Sequence, residues 1–260
     1  MPKPRIIAIA NQKGGVGKTT TAVNLAAALA AIGQTILLID FDPQGNASTG
    51  LGVKPTDRQN GSYRLVTGNS LPDELVLRTD VPNLFLIPAE ADLAGAEIEL
   101  VDVERREFRL QSALSAIRNG QTFDYILIDC PPSLGLLTLN ALVASAGIIV
   151  PLQCEFYALE GVSGLVRTIE SVRRRLNPGT RLLGIVLTMF DSRNSLSSLV
   201  ASDARDFFGD WVYQTVIPRN VRISEASSFG KPILSYDPKS TGAKAYNQLA
   251  AELLDREKQA

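Results

Sequence analysis

Apolar residues fall in short, mostly unbroken blocks along this chain, at positions 6–10, 35–39, 84–88, 125–128, 148–150 and 182–189, with a more mixed strand pattern at 212–217. Runs this short, without alternation, are what strands buried on both faces look like. Between them the apolar spacing changes to a helical period. That spacing predicts helices from Lys18 past Leu29, over 93–117, through 134–147, around Arg167 to Arg175, over 195–208, after Pro218–Arg222, and over 241–258. Residues 50–80 are rich in Gly, Pro, Asp and Asn and predict only short helical pieces at 62–66 and 71–76, and 231–236 reads as a last strand. The stretch 134–152 has the length of a membrane span, but Gly135, Asn140, Gly147 and Pro151 interrupt it, so it reads as a buried helix and then a buried strand. Strand and helix alternate throughout, with no linker or repeat. The expectation is one α/β domain over residues 1–260, a single doubly wound, mostly parallel sheet with helices on both faces.

The polar residues between the first block and the first helix carry the chemistry. Asn11-Gln12-Lys13-Gly14-Gly15-Val16-Gly17-Lys18-Thr19-Thr20 is a glycine-rich turn from strand to helix. Gly14, Gly15 and Gly17 let the backbone curl so that several N–H groups face one concavity, to which the helix start adds its own free N–H groups and positive dipole end. Lys18 can reach β- and γ-phosphate oxygens, and the Thr19 hydroxyl can ligate magnesium. Two details depart from the ordinary G-x-x-x-x-G-K-[ST] pattern: Gln12 stands where the first glycine falls, and a second lysine, Lys13, precedes Lys18 by five residues. The second and fourth long blocks both end in acid, at Asp40-Phe41-Asp42 and at Asp129. In parallel sheets the carboxyl end of the strands is where ligands sit. Asp129 has the form of a carboxylate that holds magnesium, Asp40 could act through the metal's water shell, and Asp42 could hold an attacking water.

Composition narrows the alternatives. The chain has 260 residues, two cysteines and no histidine. Without histidine there is no Ser-His-Asp or Cys-His nucleophile and no histidine–zinc site. Cys130 and Cys154 offer neither a disulfide framework nor a metal cluster, and Cys154 reads as a small buried hydrophobe. Met1-Pro2-Lys3-Pro4-Arg5 runs straight into the first block without a signal peptide, and the expected location is the cytoplasm. The net charge of −1 conceals an asymmetry: residues 1–161 carry 12 basic and 17 acidic side chains, 162–222 carry 9 arginines and 5 acids, and 223–260 carry 5 of each. The arginine-weighted middle segment is a candidate polyanion surface.

Together these motifs resemble the ParA/MinD ATPases. Lys13-Gly14-Gly15-Val16-Gly17-Lys18-Thr19-Thr20 is similar to their deviant Walker A loop, Asp40-Phe41-Asp42-Pro43-Gln44-Gly45-Asn46 to their second acidic motif, and Ile128-Asp129-Cys130-Pro131-Pro132-Ser133 to their Walker B strand and switch. Pro151-Leu152-Gln153-Cys154-Glu155 and Pro218-Arg219-Asn220-Val221-Arg222 resemble the chromosome-partitioning branch, ParA or Soj. The resemblance implies ATP and Mg2+ as ligands, and a homodimer that closes over two nucleotides, with Lys13 crossing to the partner's ATP. It implies Pro218 and Asn220 at the adenine, Gly14 at the closest approach of the two subunits, and Asp42 on the attacking water. It also implies non-specific DNA binding through Arg193 and Arg222, nucleoid association, and release by a ParB-like partner that stimulates slow hydrolysis. A MinD-like membrane-cycling ATPase is the alternative, but the tail 251–260 has more acids than bases and no bulky aromatic, so no membrane partner is expected. An iron–sulfur or electron carrier on the same fold, and a P-loop kinase or synthetase, are less well supported. Only five residues precede the first strand, so no N-terminal helix-turn-helix domain is expected.

Overall fold

Eight strands make one sheet: β1 (Arg5–Ile9), β2 (Ile36–Asp40), β3 (Leu77–Arg78), β4 (Leu84–Ile87), β5 (Tyr125–Asp129), β6 (Gly147–Gln153), β7 (Arg181–Phe190) and β8 (Val212–Pro218). The computed structural model describes residues 4–68, 70–117, 123–155 and 158–258. The sequence-based readings of residues 1–3 and of the tail's last two residues lie outside these. Strand order is β3-β4-β2-β5-β1-β6-β7-β8, and each pairing is parallel except β3 with β4. The expected doubly wound, mostly parallel sheet is therefore present.

Its two-sidedness is visible residue by residue. On one face, Ala8, Leu37, Ile39, Ile126, Ile128, Ile148 and Val150 share a core with α6 (Leu136–Ala144), α7 (Ala158–Arg175) and α8 (Ser195–Phe208). On the other, their neighbours Ile7, Ile9, Leu38, Leu127 and Ile149 share a core with α1 (Lys18–Ala31) and α11 (Thr241–Lys258). Successive side chains of a strand point to opposite faces, so an unbroken apolar run fills both layers at once. Each fully buried Ile or Leu contributes roughly 1.5–3 kcal/mol, and this alternation supplies such side chains to both layers.

Two expectations are corrected. The single helix expected over 93–117 is divided into α4 (Leu93–Glu99), a 3-10 turn at Arg106–Phe108 and α5 (Arg109–Ser115). The break has partners from elsewhere in the chain. Asn140 Oδ1 accepts from the Leu110 N–H at 3.1 Å, starting a new helix, and Asn140 Nδ2 donates to the Arg106 carbonyl. Arg105 adopts φ 54°, outside the helical region. Residues 231–236, expected as a strand, instead contain the short helix α10 (Ile233–Tyr236). Pro232 sits at its N-cap, and the Ile233 N–H is taken by Asn24 Oδ1 at 2.7 Å, which fastens α10 to α1 rather than to the sheet. The piece at 71–76 is only a 3-10 turn at Pro72–Glu74, while that at 62–66 is α3 (Ser62–Thr67). Neither the two-residue β3 nor α2 (Asn46–Gly50) is expected from the apolar spacing. The remaining helix is α9 (Val221–Ser228).

Candidate functional site

The glycine-rich turn leaves β1 and enters α1 through Gly17, whose φ of +86° needs a residue without a β-carbon. Gly17 supplies no side chain to cap α1, and the first backbone bond of the helix is from Thr21 N–H to the Gly17 carbonyl. The N–H groups ahead of it stay available for an anion. The loop is braced from both sides. Buried Asn11 donates to the Pro151 carbonyl at 2.7 Å and accepts from the Lys13 N–H at 3.0 Å, while the Thr188 hydroxyl donates to the Val16 carbonyl at 2.8 Å.

The two lysines behave differently. Lys18 is buried and its ammonium donates to the Lys13 carbonyl at 3.0 Å, across the loop. Burial lowers its pKa, while Asp129, Cys130 and Asp42 act in the opposite direction. Lys13 is half-exposed, and its ammonium lies 3.7 Å from the Glu155 carboxylate. At Gly14 a β-carbon would meet nothing within 4 Å, so nothing in this chain itself excludes a side chain there.

Parallel pairing of β2 with β5 puts Asp40 directly opposite Asp129, and Asp129 also pairs with Ile9 at the end of β1. Three carboxylates are thus gathered beside the loop. Asp40 is fully buried and held by the Ser48 N–H and hydroxyl at 2.7 and 2.6 Å; burial and the Asp42 charge outweigh those bonds and push its pKa up to about 6. Asp42 accepts from the Gln44 N–H at 3.0 Å, which fixes the direction of its carboxylate. Asp129 is 0% exposed and neither of its oxygens has a hydrogen-bond partner. Burial first, then the Asp40 charge, holds it well above the usual carboxylate range, with Thr19 and Lys18 acting in the other direction.

An orphaned buried carboxylate beside a threonine hydroxyl is a donor set suited to a hard divalent cation. Among the described residues no three carboxylate or thiol side chains converge into a metal cage. Magnesium needs none, since it usually takes one or two protein ligands and fills its octahedron with phosphate oxygens and water.

Beside the loop lies a cleft of about 360 Å³ lined by Gly17, Thr20, Thr188, Pro218, Asn220 and Tyr246. The structure therefore brings Pro218 and Asn220, some 200 positions away in sequence, to the phosphate loop. Asn220 is also structural: its Oδ1 caps α9 by accepting from the Arg222 N–H, and its Nδ2 donates to Thr241 Oγ1.

A family model for an AAA domain matches residues 4–182. The chromosome partitioning protein ParA of Caulobacter vibrioides is 58% identical over 254 residues, covering 98% of this chain and 95% of the relative. The chain belongs to the ParA/Soj chromosome-partitioning family. The chromosome-partitioning ATPase Soj of Thermus thermophilus is 50% identical over 258 residues, covering 99% of this chain and 98% of that one. A solved structure of cobyrinic acid a,c-diamide synthase from Mycobacterium smegmatis with bound ATP analog and magnesium matches with a TM-score of 0.86 and 41% identity, covering 98% of this chain and 96% of that one.

In this ParA/Soj chain, of the two arginines expected to meet DNA, Arg193 stands on the loop after β7 and Arg222 in the first turn of α9, and the Arg219 N–H ahead of α9 donates to the Phe190 carbonyl at the end of β7 at 2.9 Å. Both are exposed and both are occupied. Arg193 makes a two-pronged pair with Asp191, Nε to Oδ1 and Nη2 to Oδ2 at 2.9 Å each, which pulls the Asp191 pKa down to about 2. Arg222 pairs with Glu225 at 2.8 Å and lies 3.8 Å from Asp237. Sequence reasoning missed Thr188, Ser48, Asn11 and Tyr246. Thr188 could have been noticed as a polar side chain inside the apolar run 182–189; the other three carry no signal in spacing.

Proposed function

We propose that this ParA/Soj chain is a DNA-partitioning ATPase that binds ATP and Mg2+ at residues 13–20. On this reading it dimerises face to face around two nucleotides, holds DNA without sequence preference, and lets go after hydrolysis. The observation that carries the reading is the different burial and partners of the two lysines. Lys18 is buried and bonded to a carbonyl of its own phosphate loop, whereas Lys13 is half-exposed and its ammonium lies 3.7 Å from Glu155, outside the loop. A half-exposed cation in the loop, held only by a weak surface pair, suits a second subunit's ATP, where it would act as an arginine finger does elsewhere. The open space around Gly14 supports the same reading, because it leaves room for a close subunit approach.

The chemistry follows from the residues. The loop N–H groups and Lys18 bind and orient the β- and γ-phosphates. Pro218 and Asn220 bound the cleft that would take the adenine. Thr19 and Asp129 would hold Mg2+, with Asp40 behind them, and the ion would neutralise charge between the two phosphates. Asp42 would orient a water toward the γ-phosphorus; that P–O bond forms as the bond to the β-phosphate oxygen breaks, releasing ADP and phosphate. Arg193 and Arg222 would exchange their own carboxylate partners for DNA phosphates, giving affinity that falls steeply with salt and little base readout. A centromere-binding partner of the ParB type would accelerate hydrolysis on the nucleoid.

The membrane-cycling alternative needs a free apolar helix face. Here α11 buries Leu249 and Leu253 in the core, and among the described residues no helix is long and apolar enough to cross a membrane. The test is steady-state ATP hydrolysis with added DNA, a ParB-type partner, or liposomes. DNA plus partner should stimulate turnover; stimulation by liposomes alone would reject the partition reading.

A further inference from the structure

Helix α8 has an outward face that the nucleotide site does not use. Ser197, Val200, Ala201, Ala204 and Phe208 are buried against the sheet. Outward, one i,i+4 row runs Leu199, Asp203, Phe207, and the turn after α8 continues it to Trp211. Leu199 is 57% exposed, Phe207 69% and Trp211 47%. With aromatic side chains covering roughly 150–250 Å² each, the exposed apolar area is on the order of 300 Å², comparable to the largest patch of a typical soluble monomer. Phe207 is not loose, since its ring stands edge-on to Phe208 with centroids 4.8 Å apart.

The charged side chains exposed on α8 are acidic, and at the Trp211 end Arg256 donates to the Asp210 carbonyl at 2.9 Å. Asp203, Asp206 and Asp210 are exposed, and among the described residues none has an ion-pair partner. The lone basic residue of α8, Arg205, turns back to the Tyr213 and Gln214 carbonyls. The far edge of Trp211 borders a cleft containing Arg173 and Arg181, which limits the acidic strip to the α8 side.

We propose that the outer face of α8, with Trp211, is a docking surface for a basic amphipathic segment of another protein. Apolar side chains of that segment would cover Leu199, Phe207 and Trp211, and its lysines or arginines would pair with the three aspartates. A second copy of this chain fits poorly, because three carboxylates would face three carboxylates, and DNA is repelled for the same reason. The surface starts close to Arg193, two residues before α8, and extends along a helix of about 21 Å. A partner seated on it would leave the loop of Arg193 uncovered. The proposal rests on this face alone and does not depend on the nucleotide chemistry.

Trp211 is the single tryptophan of the chain, so its emission reports on the surface directly. The probe is a synthetic 14-residue Lys/Leu amphipathic peptide, with a Glu/Leu peptide of the same pattern as control, titrated at low salt. The Lys/Leu peptide should give a saturable blue shift. Asp203→Lys with Asp206→Lys should weaken it at least tenfold, and so should Leu199→Ser with Phe207→Ser, which leaves the charges in place. Asp102→Lys with Glu104→Lys, on the exposed segment after α4, should leave it unchanged. Far-UV circular dichroism and ATP binding verify that each variant is folded. No blue shift, an equal shift with the Glu/Leu peptide, or unchanged affinity in either α8 variant would overturn the proposal. A shift that grows with protein concentration and no peptide would assign the face to self-association instead.

Discussion

Replacing Asp129 by Asn should stabilise the nucleotide-free protein while abolishing the stabilisation that Mg·ATP confers. Asp129 is fully buried with two unpartnered oxygens, and Asp40 and Asp42 raise its pKa further. At pH 7.5 the chain can at worst protonate it. Moving a carboxyl from its ordinary value of 3.8 to that pH costs 1.36 kcal/mol per unit, an upper limit of about 5 kcal/mol. An amide of the same shape avoids that cost. Two effects reduce the gain: Lys18 loses an attractive neighbour, and the amide N–H groups need acceptors. The expected net is about 2–3 kcal/mol, or roughly 4–12 °C in Tm for a chain of this size. Thermal and urea unfolding in EDTA measure it.

The sign with pH is also set. A carboxyl whose pKa is raised by folding contributes stability at low pH that is lost as pH rises through the folded value. The advantage of Asp129→Asn should therefore shrink as pH falls toward 4, because protonation removes the same charge from the natural protein. In the second half of the assay, Mg·ATP should raise the Tm of the natural protein and leave that of the variant nearly unchanged. A variant less stable in EDTA than its parent would refute the account of Asp129 as an uncompensated charge. A variant stabilised by Mg·ATP as strongly as its parent would remove Asp129 from the metal.

Four further outcomes are expected. Arg193→Ala with Arg222→Ala should lower the salt slope of DNA binding by about 4 in a dimer, one per phosphate contact, and leave ATP-dependent dimerisation intact; an unchanged slope moves the DNA surface elsewhere. Gly14→Val should fold and bind ATP yet stay monomeric by light scattering, since the only obstacle to its side chain is a second subunit. Thr188→Val leaves the buried Val16 carbonyl without its bond, so it should cost about 1–3 kcal/mol in urea unfolding and weaken ATP binding severalfold by calorimetry; a neutral result would show that the brace is dispensable. Burial pushes the Cys154 thiol up to about 11 and the Cys130 thiol higher, so both should resist a disulfide reagent at pH 8 until urea is added, and rapid labelling of the native protein would contradict the buried reading of both.

What could be read in advance was whatever is local or two-sided. Buried parallel strands announce themselves because Ile36 to Ile39 and Tyr125 to Ile128 must fill both layers, and their final acids follow from where such strands end. The phosphate loop is legible because glycines, lysine and threonine are adjacent in the chain. The misreadings occurred where a distant side chain decides. Ile233-Leu234-Ser235-Tyr236 has strand propensity, but Asn24 takes the Ile233 N–H and turns the segment into a helix. The helical period continues through 100–110, yet Asn140 caps a new start at Leu110. Propensity is a weak prior against a buried hydrogen bond supplied from more than a hundred residues away, or even from thirty. Thr188 went unnoticed for the same reason: its role depends on Val16, 172 positions earlier.

One arrangement recurs at each cation that the proposed function sends to another molecule. Lys13 is held by Glu155, Arg193 by Asp191 and Arg222 by Glu225. All three pairs are at least partly exposed, and exposed pairs contribute only about 0–1 kcal/mol. Such partners can be given up when ATP of a second subunit or a DNA phosphate is offered, and taken back when it leaves. The gain per contact is then an exchange of one anion for another, not the pairing of a bare cation, so each contact is individually weak. Binding by two subunits together multiplies these small terms, which makes firm attachment conditional on the dimer. On the proposed function, release of DNA after every hydrolysis would be better served by arginines with carboxylates at hand than by unpartnered ones. Buried Lys18, with no carboxylate bonded to it, is the contrasting case: on the proposed function it serves the ATP of its own subunit and has neither a partner subunit nor DNA to reach.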